Sequence, residues 1–281
     1  MRLGNLRGRA VLLSRDMTRG VDLETASAGR FGPSVPHALA NWEAVRELAA
    51  SVELSGAPAV DPAALGACSP APRAVFAIGL NYRDHAQEAG LPLSPEPIVF
   101  TKFPSCLVGP HSDVVLSGDR VDWEAELVVV IGRRAENVSE VRALEFVAGF
   151  CAGQDISDRK LQLASAPPQF SLGKSCATFG PIGPAIVTLD ELAHPLDLAI
   201  TCDLDGERMQ ASRTSQLISS VPELVAYLSR YCELAPGDLI FTGTPGGVGS
   251  GRKRYLKPGE TIRTEIEGVG TLVNRCVAAR A

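Results

Sequence analysis

The stretch Asp122-Trp123-Glu124-Ala125-Glu126-Leu127-Val128-Val129-Val130-Ile131-Gly132 constrains this chain more than any other. Acidic residues occupy alternate positions and run straight into five consecutive apolar ones. In a strand, successive side chains point to opposite faces, so Asp122, Glu124 and Glu126 would share one face. Like charges on one face of a buried strand repel and resist desolvation. A positive partner is then required, and a hard divalent cation is the simplest one. The alternative is an edge strand whose acidic face is solvated. The strand taken alone leaves both open.

Composition narrows the class. With 281 residues the chain has room for one large domain, or for a catalytic domain with a smaller appendage. The 45% hydrophobic and 21% charged content is ordinary for a soluble globular protein. A net charge of -5 and a pI near 5.5 argue against nucleic acid or an anionic membrane as partner. No apolar run reaches the length of a membrane span, and the opening residues lack the apolar core of a secretory signal. The seven cysteines are scattered, odd in number and without a CxxC pair. That speaks against a disulfide framework or a thiolate zinc site and fits a reducing cytoplasm.

Residues 1 to about 70 differ from the rest and are expected to form a small N-terminal α+β domain. It would hold a strand at Arg9 to Leu13, a Gly/Pro-rich loop at Gly29 to Pro36 and a helix at Trp42 to Leu48. The Ala/Pro/Gly-rich segment from Gly56 to Pro72 reads as a linker or docking segment. From residue 71 to 281 the chain is strand-rich. Buried strands are expected at Val75 to Leu80 and Ile98 to Lys102, the acidic strand at Val121 to Ile131, and another at Phe146 to Asp155. A hairpin is expected after Leu198 to Leu204 at Asp205-Gly206, and further strands at Asp238 to Thr242, Thr261 to Glu267 and Thr271 to Val277. Helices are expected at Asn81 to Ala89, Asp158 to Ala164 and Pro222 to Cys232. The fold class is α+β and predominantly β.

A metal site needs more than two carboxylates. Asp155 ends an apolar strand just before a helix, where it serves equally well as third ligand or as N-cap. Three carboxylates without His or Cys point to Mg²⁺ or Mn²⁺, with Ca²⁺ possible. Among four histidines, His85 follows the strand in Asn81-Tyr82-Arg83-Asp84-His85, with Asn81 as expected cap and Gly90 as terminator. Glu88 lies three residues on, on the same helix face. Such a pair suits a general base near neutral pH, or is a plain surface pair. Lys174 in Gly173-Lys174-Ser175 can steady an oxyanion beside a metal, or is an ordinary loop lysine. It does not sit in a P-loop, because Pro168 occupies the place of the first glycine. No GxSxG, HExxH or GxGxxG is present. Thr242-Gly243-Thr244-Pro245-Gly246-Gly247-Val248-Gly249 follows a strand and reads as a tight loop whose threonines can bind a carboxylate.

Taken together and in this order, these segments resemble the fumarylacetoacetate hydrolase family from about Ala74 to Val277. Lys102-Phe103-Pro104-Ser105, Gln154-Asp155-Ile156-Ser157 and Pro236-Gly237-Asp238-Leu239-Ile240-Phe241 complete the match. The resemblance implies a mixed β-roll catalytic domain, usually in a homodimer. It implies Mg²⁺ or Mn²⁺ on Glu124, Glu126 and Asp155, a His85-Glu88 dyad on a lid segment, and Lys174 near the metal. It implies substrate contacts from Tyr82, Arg159, Gln162 and Thr244. Ser157-Asp158-Arg159-Lys160 and Gln216-Leu217-Ile218-Ser219 depart from the family's usual wording, which bears on specificity and on packing near Ser219.

The activity so implied is hydrolysis of a C–C bond in an acylpyruvate-like 1,3-diketo acid. His85 would activate water, Lys174 would steady the oxyanion, and the metal would stabilise the departing enolate. The same site also suits a 2-oxo acid decarboxylase of the oxaloacetate type, or an oxo-diacid isomerase or hydratase. A metal-binding protein without turnover is the reading from another class.

Overall fold

The computed structural model describes residues 1–90 and 94–279. Two sheets carry the fold. The larger has ten strands. Its order is Gly20–Asp22, Arg9–Leu13, Arg2–Leu6, Gly180–Val187, Val147–Gln154, Ala125–Ile131, Leu239–Phe241, Val75–Gly79 and Ile98–Thr101, with Leu107–Val108 branching off Gly180–Val187. The smaller runs Glu207–Arg213, Ala199–Leu204, Thr261–Ile266, Gly270–Ala278 and Val114–Leu116. Three pairings are parallel: Leu239–Phe241 on Val75–Gly79, Leu107–Val108 on Gly180–Val187, and Val114–Leu116 on Gly270–Ala278. The rest are antiparallel. This is the expected α+β class dominated by strands, a mixed β-roll whose described strands do not close into a barrel.

Local chemistry explains the elements. The smaller sheet turns at Asp205-Gly206, where both residues have positive φ (50° and 84°), the backbone a two-residue hairpin needs. Helix Val221–Tyr231 starts from a capping box between Ser220 and Glu223. Helix Arg83–Ala89 ends where Gly90 turns left-handed.

Alternation along Ala125–Ile131 sorts the core. Leu127, Val129 and Ile131 face a cluster shared with the smaller sheet and helix Val221–Tyr231, through Ile200, Leu224 and Leu272. Val128 and Val130 face the other way, against Phe31, Leu39 and Trp42 of the front segment. Each such buried side chain contributes roughly 2 kcal/mol. Residues 1–70 also extend the large sheet, because Arg2–Leu6 pairs antiparallel with Gly180–Val187.

Three local expectations need correction. The acidic stretch is not one strand: Val121–Asp122 pairs with Ser157–Asp158, and Ala125–Ile131 begins anew after a break at Trp123-Glu124. The three acids therefore do not share one strand face. Asn81 does not cap its helix. Tyr82 stands at the N-cap, while the Asn81 amide donates to Ser219 O and Thr242 O and accepts from Ser219 N. Ile98–Thr101 is largely exposed, because it is the last strand of the sheet. Its apolar composition had suggested a buried one.

Candidate active site

Asp122, Glu124, Glu126 and Asp155 are all buried; Glu126 lies in a central strand of the large sheet, Glu124 and Asp155 flank its central strands, and Asp122 lies in the separate two-stranded pairing. A solvated edge is thereby excluded. Carboxylate oxygens of Glu124, Glu126 and Asp155 lie within 4.8 Å of one another. Glu126 enters from strand Ala125–Ile131, on the face it shares with Val128 and Val130. Glu124 sits in the break just before that strand. Asp155 follows strand Val147–Gln154, and its N–H donates to Glu124 O at 2.9 Å. Asp155 does not cap the following helix; Asp158 does, accepting from Leu161 N.

Two side-chain amides hold the break open. Gln154 Oε1 accepts from Glu124 N at 2.9 Å, and Gln210 Oε1 accepts from Ala125 N at 3.0 Å. Gln154 Nε2 donates in turn to Thr264 Oγ1 of the smaller sheet, and Gln210 Nε2 to Thr244 Oγ1.

Cations surround part of the cluster. Lys174 Nζ donates to Glu124 Oε2 at 2.6 Å and Asp155 Oδ2 at 2.7 Å. Lys102 Nζ donates to Asp155 Oδ1 at 2.7 Å, to Phe179 O and to Lys174 O. Arg159 spends three nitrogens: Nε on Asp122 Oδ2 (2.8 Å), one terminal nitrogen on Glu124 Oε1 (2.6 Å) and the other on Gln162 Oε1 (2.9 Å). Asp122 also accepts from the N–H groups of Trp123, Gly249 and Ser250. It is thus a clamp for Arg159 and the glycine-rich loop, outside the three-carboxylate cluster.

The carboxylates differ in charge support. Burial would raise Glu124, but Lys174 and then Arg159 outweigh it and bring its pKa to about 2. Burial, reinforced by the charges of Asp155 and Glu124, pushes Glu126 well above the usual carboxylate range. Its hydrogen-bond partner is a neutral one, Gly243 N–H at 2.7 Å. Gly243 has φ +101°, and a Cβ there would lie 2.8 Å from Asn81 Cβ, so the close approach requires glycine. A buried carboxylate without its own cation, beside two others, is the donor set a hard divalent ion fits.

His85 and Glu88 come together as spaced, with Nδ1 to Oε2 at 3.6 Å, longer than a hydrogen bond. His85 Nδ1 is buried without a partner. Glu88 Oε2 is fixed by Gly247 N–H at 2.9 Å. The glycine-rich loop thus holds protein carboxylates by backbone N–H groups. Its threonines donate to main chain, Thr242 to Leu127 O and Thr244 to Ala125 O.

A cavity of about 200 Å³ opens onto Glu124, and Lys174, Arg159, Gln162, Thr244 and His85 line it too, while Glu126 and Asp155 lie behind that lining. Tyr82 stands apart from the lining. It is fully buried, and its hydroxyl has no hydrogen-bond partner. Burial, then the charges of Glu126 and Asp84, raise its pKa. Lys102, Gln154 and Gln210 carry structural work that sequence reasoning assigned to none of them. Lys102 left one signal, a charged residue closing an apolar strand.

The chain is 43% identical over 210 residues to oxaloacetate tautomerase FAHD2B, mitochondrial, of Bos taurus, covering 73% of this chain and 67% of that one. A Mycobacterium smegmatis crystal structure described as HpcE covers all of both chains at 51% identity and TM-score 0.94. Fumarylpyruvate hydrolase of Pseudomonas aeruginosa, solved with Mn²⁺ and pyruvate, is 35% identical at TM-score 0.68, covering 74% of this chain and 91% of that one. Residues 74–277 match the family described as fumarylacetoacetate (FAA) hydrolase C-terminal. The chain belongs to the fumarylacetoacetate hydrolase family of enzymes.

Proposed function

We propose that this protein hydrolyses a C–C bond in an acylpyruvate-like 1,3-diketo acid, with Mg²⁺ or Mn²⁺ on Glu124, Glu126 and Asp155. The observation that carries the reading is the convergence of His85, Lys174, Arg159 and Glu124 on one small cavity. A divalent cation, when bound, supplies Lewis acidity toward the carboxylate and keto oxygens of a 2-oxo acid. The remaining work belongs to side chains. With Nδ1 turned toward Glu88, His85 has Nε2 left to take a proton from water. Lys174 Nζ donates to the oxyanion that forms at the attacked carbonyl. Arg159, Gln162 and Thr244, which line the cavity, orient the substrate; Tyr82, buried outside that lining, is left out of the binding set.

The assay is product analysis with an acylpyruvate and added Mn²⁺. Pyruvate plus a free acid is expected, with His85→Ala losing the turnover. Full activity in His85→Ala removes His85 as the base.

A second reading, keto–enol tautomerisation, is favoured by the likeness to the bovine tautomerase. It needs the same proton transfer at His85 without water attack. An enol signal that decays with no acid released would select it. A homodimer, cytoplasmic residence and a small N-terminal domain at residues 1–70 belong to the same proposal. Among the described residues no helix is long and apolar enough to cross a membrane.

A further inference from the structure

Helix Arg83–Ala89, which carries His85, is seven residues long. A helix that short does not hold itself in water and takes its place from its neighbours. Among its described side chains only Ala86 is buried, so no apolar face docks it. Gly246 and Gly251 lie against it. A Cβ at these positions would stand 3.5 Å from Asp84 O and 3.3 Å from Glu88 Oε1, so the helix rests on bare backbone.

Polar ties fix its place instead. Arg83 Nη1 donates to Leu217 O at 2.9 Å, and Gly247 N–H donates to Glu88 Oε2 at 2.9 Å. Ser212 Oγ donates to Asp84 Oδ2 at 2.9 Å, from strand Glu207–Arg213 of the smaller sheet. This last tie differs from the others in where it acts. The other oxygen of Asp84 accepts from the His85 N–H at 2.8 Å. One carboxylate thus joins the smaller sheet to the main chain of the residue whose imidazole lines the cavity. Tyr82 at the N-cap makes no side-chain capping bond, and Asp84 takes over a free N–H of the first turn.

We infer that Ser212 is a positioning residue for His85, seating the helix through Asp84 so that the imidazole faces the cavity. The inference rests on the reading of His85 as the group that takes the proton. A hydrogen bond to a carboxylate is stronger than one between neutral groups, and here no apolar docking face backs it up.

The test compares Ser212→Ala with Ser212→Thr, which keeps the hydroxyl. Asp84 is partly exposed, so water can take the oxygen that Ser212→Ala frees, and the variant is expected to fold. In Ser212→Ala the amides of residues 83–89 are expected to exchange hydrogen at least about tenfold faster than in wild type, with the large sheet unchanged. Turnover with Mn²⁺ is followed on 2,4-dioxopentanoate and on the enol of oxaloacetate. In Ser212→Ala kcat is expected to fall at least about threefold, with KM and Mn²⁺ affinity within about twofold of wild type. Ser212→Thr is expected to restore both exchange and kcat. In a His85→Gln background Ser212→Ala is expected to cost no further turnover, because its effect passes through the imidazole. Unchanged exchange of the helix, an unchanged kcat, or an equal loss of turnover in the His85→Gln background overturns the inference. Absence of turnover on both compounds in wild type would remove the readings of the reaction, while the exchange comparison still decides whether Ser212 seats the helix.

Discussion

Lys102 and Asp155 meet in the interior with Nζ to Oδ1 at 2.7 Å and no solvent exposure of either side chain. Burial opposes the charge on Lys102, but Asp155 outweighs it and raises the lysine pKa. Removing Lys102 leaves Asp155 Oδ1 without its donor, while Lys174 still holds Oδ2. Lys102→Met should destabilise the protein by about 1–3 kcal/mol. Urea unfolding checks this, and a loss below about 1 kcal/mol would show that water or another group takes over the Asp155 oxygen.

Glu126 is the carboxylate that most needs a cation. Wild-type protein should gain thermal stability on adding Mn²⁺, since a ligand that binds only the native state stabilises it. Glu126→Gln keeps the shape and the Gly243 contact but loses the charge. It should lose the Mn²⁺-dependent rise in Tm, with a metal-free Tm at neutral pH no lower than that of wild type. A rise equal to that of wild type would exclude Glu126 as a ligand.

The same two glutamates give opposite pH slopes in chelator-treated protein. Glu126 has a folded-state pKa raised above its ordinary 4.5, so its contribution is fully present below pH 4.5 and is lost as pH rises through the raised value. Glu124, lowered to about 2, contributes stability above pH 4.5 that is lost as pH falls toward 2. Unfolding free energy measured from pH 4.5 upward should decline less in Glu126→Gln than in wild type. Parallel curves would mean that other groups set the slope.

His85 and Glu88 are expected to separate kinetically from the metal. His85→Gln should lower kcat by about 10²–10⁴ with Mn²⁺ affinity unchanged. Glu88→Gln should cost less, about tenfold, because the group orients the imidazole without touching substrate. Paired calorimetry and steady-state kinetics check both. A fall in Mn²⁺ affinity would place the pair closer to the ion than proposed.

The residues of the site were more legible than the scaffold that holds them. Glu124, Glu126 and Asp155 stand out because charged residues border apolar strands, whereas Lys174 is placed near them only by the family resemblance; the structure brings all four within hydrogen-bond or ligand distance. The break at Trp123-Glu124 was hidden because alternation of acidic and apolar residues continues through it. Its causes, Gln154 and Gln210, lie 30 and 85 residues away from their backbone partners. Ile98–Thr101 looked buried because apolar composition does not tell a central strand from the last one. Lys102 finds Asp155 across 53 residues, and no local pattern carries that pairing.

The interruption in the acidic stretch has one more consequence. A continuous strand would tie its acids to the twist of a single sheet. Here the backbone of Glu124 hangs on Gln154, which is anchored to Thr264 of the smaller sheet, and Ala125 hangs on Gln210 of that same sheet. The gap between carboxylates is thus gauged by how two layers sit against each other. Drift at a position such as Thr264, remote in function from any ligand, can retune the bite offered to an ion while every proposed ligand stays in place.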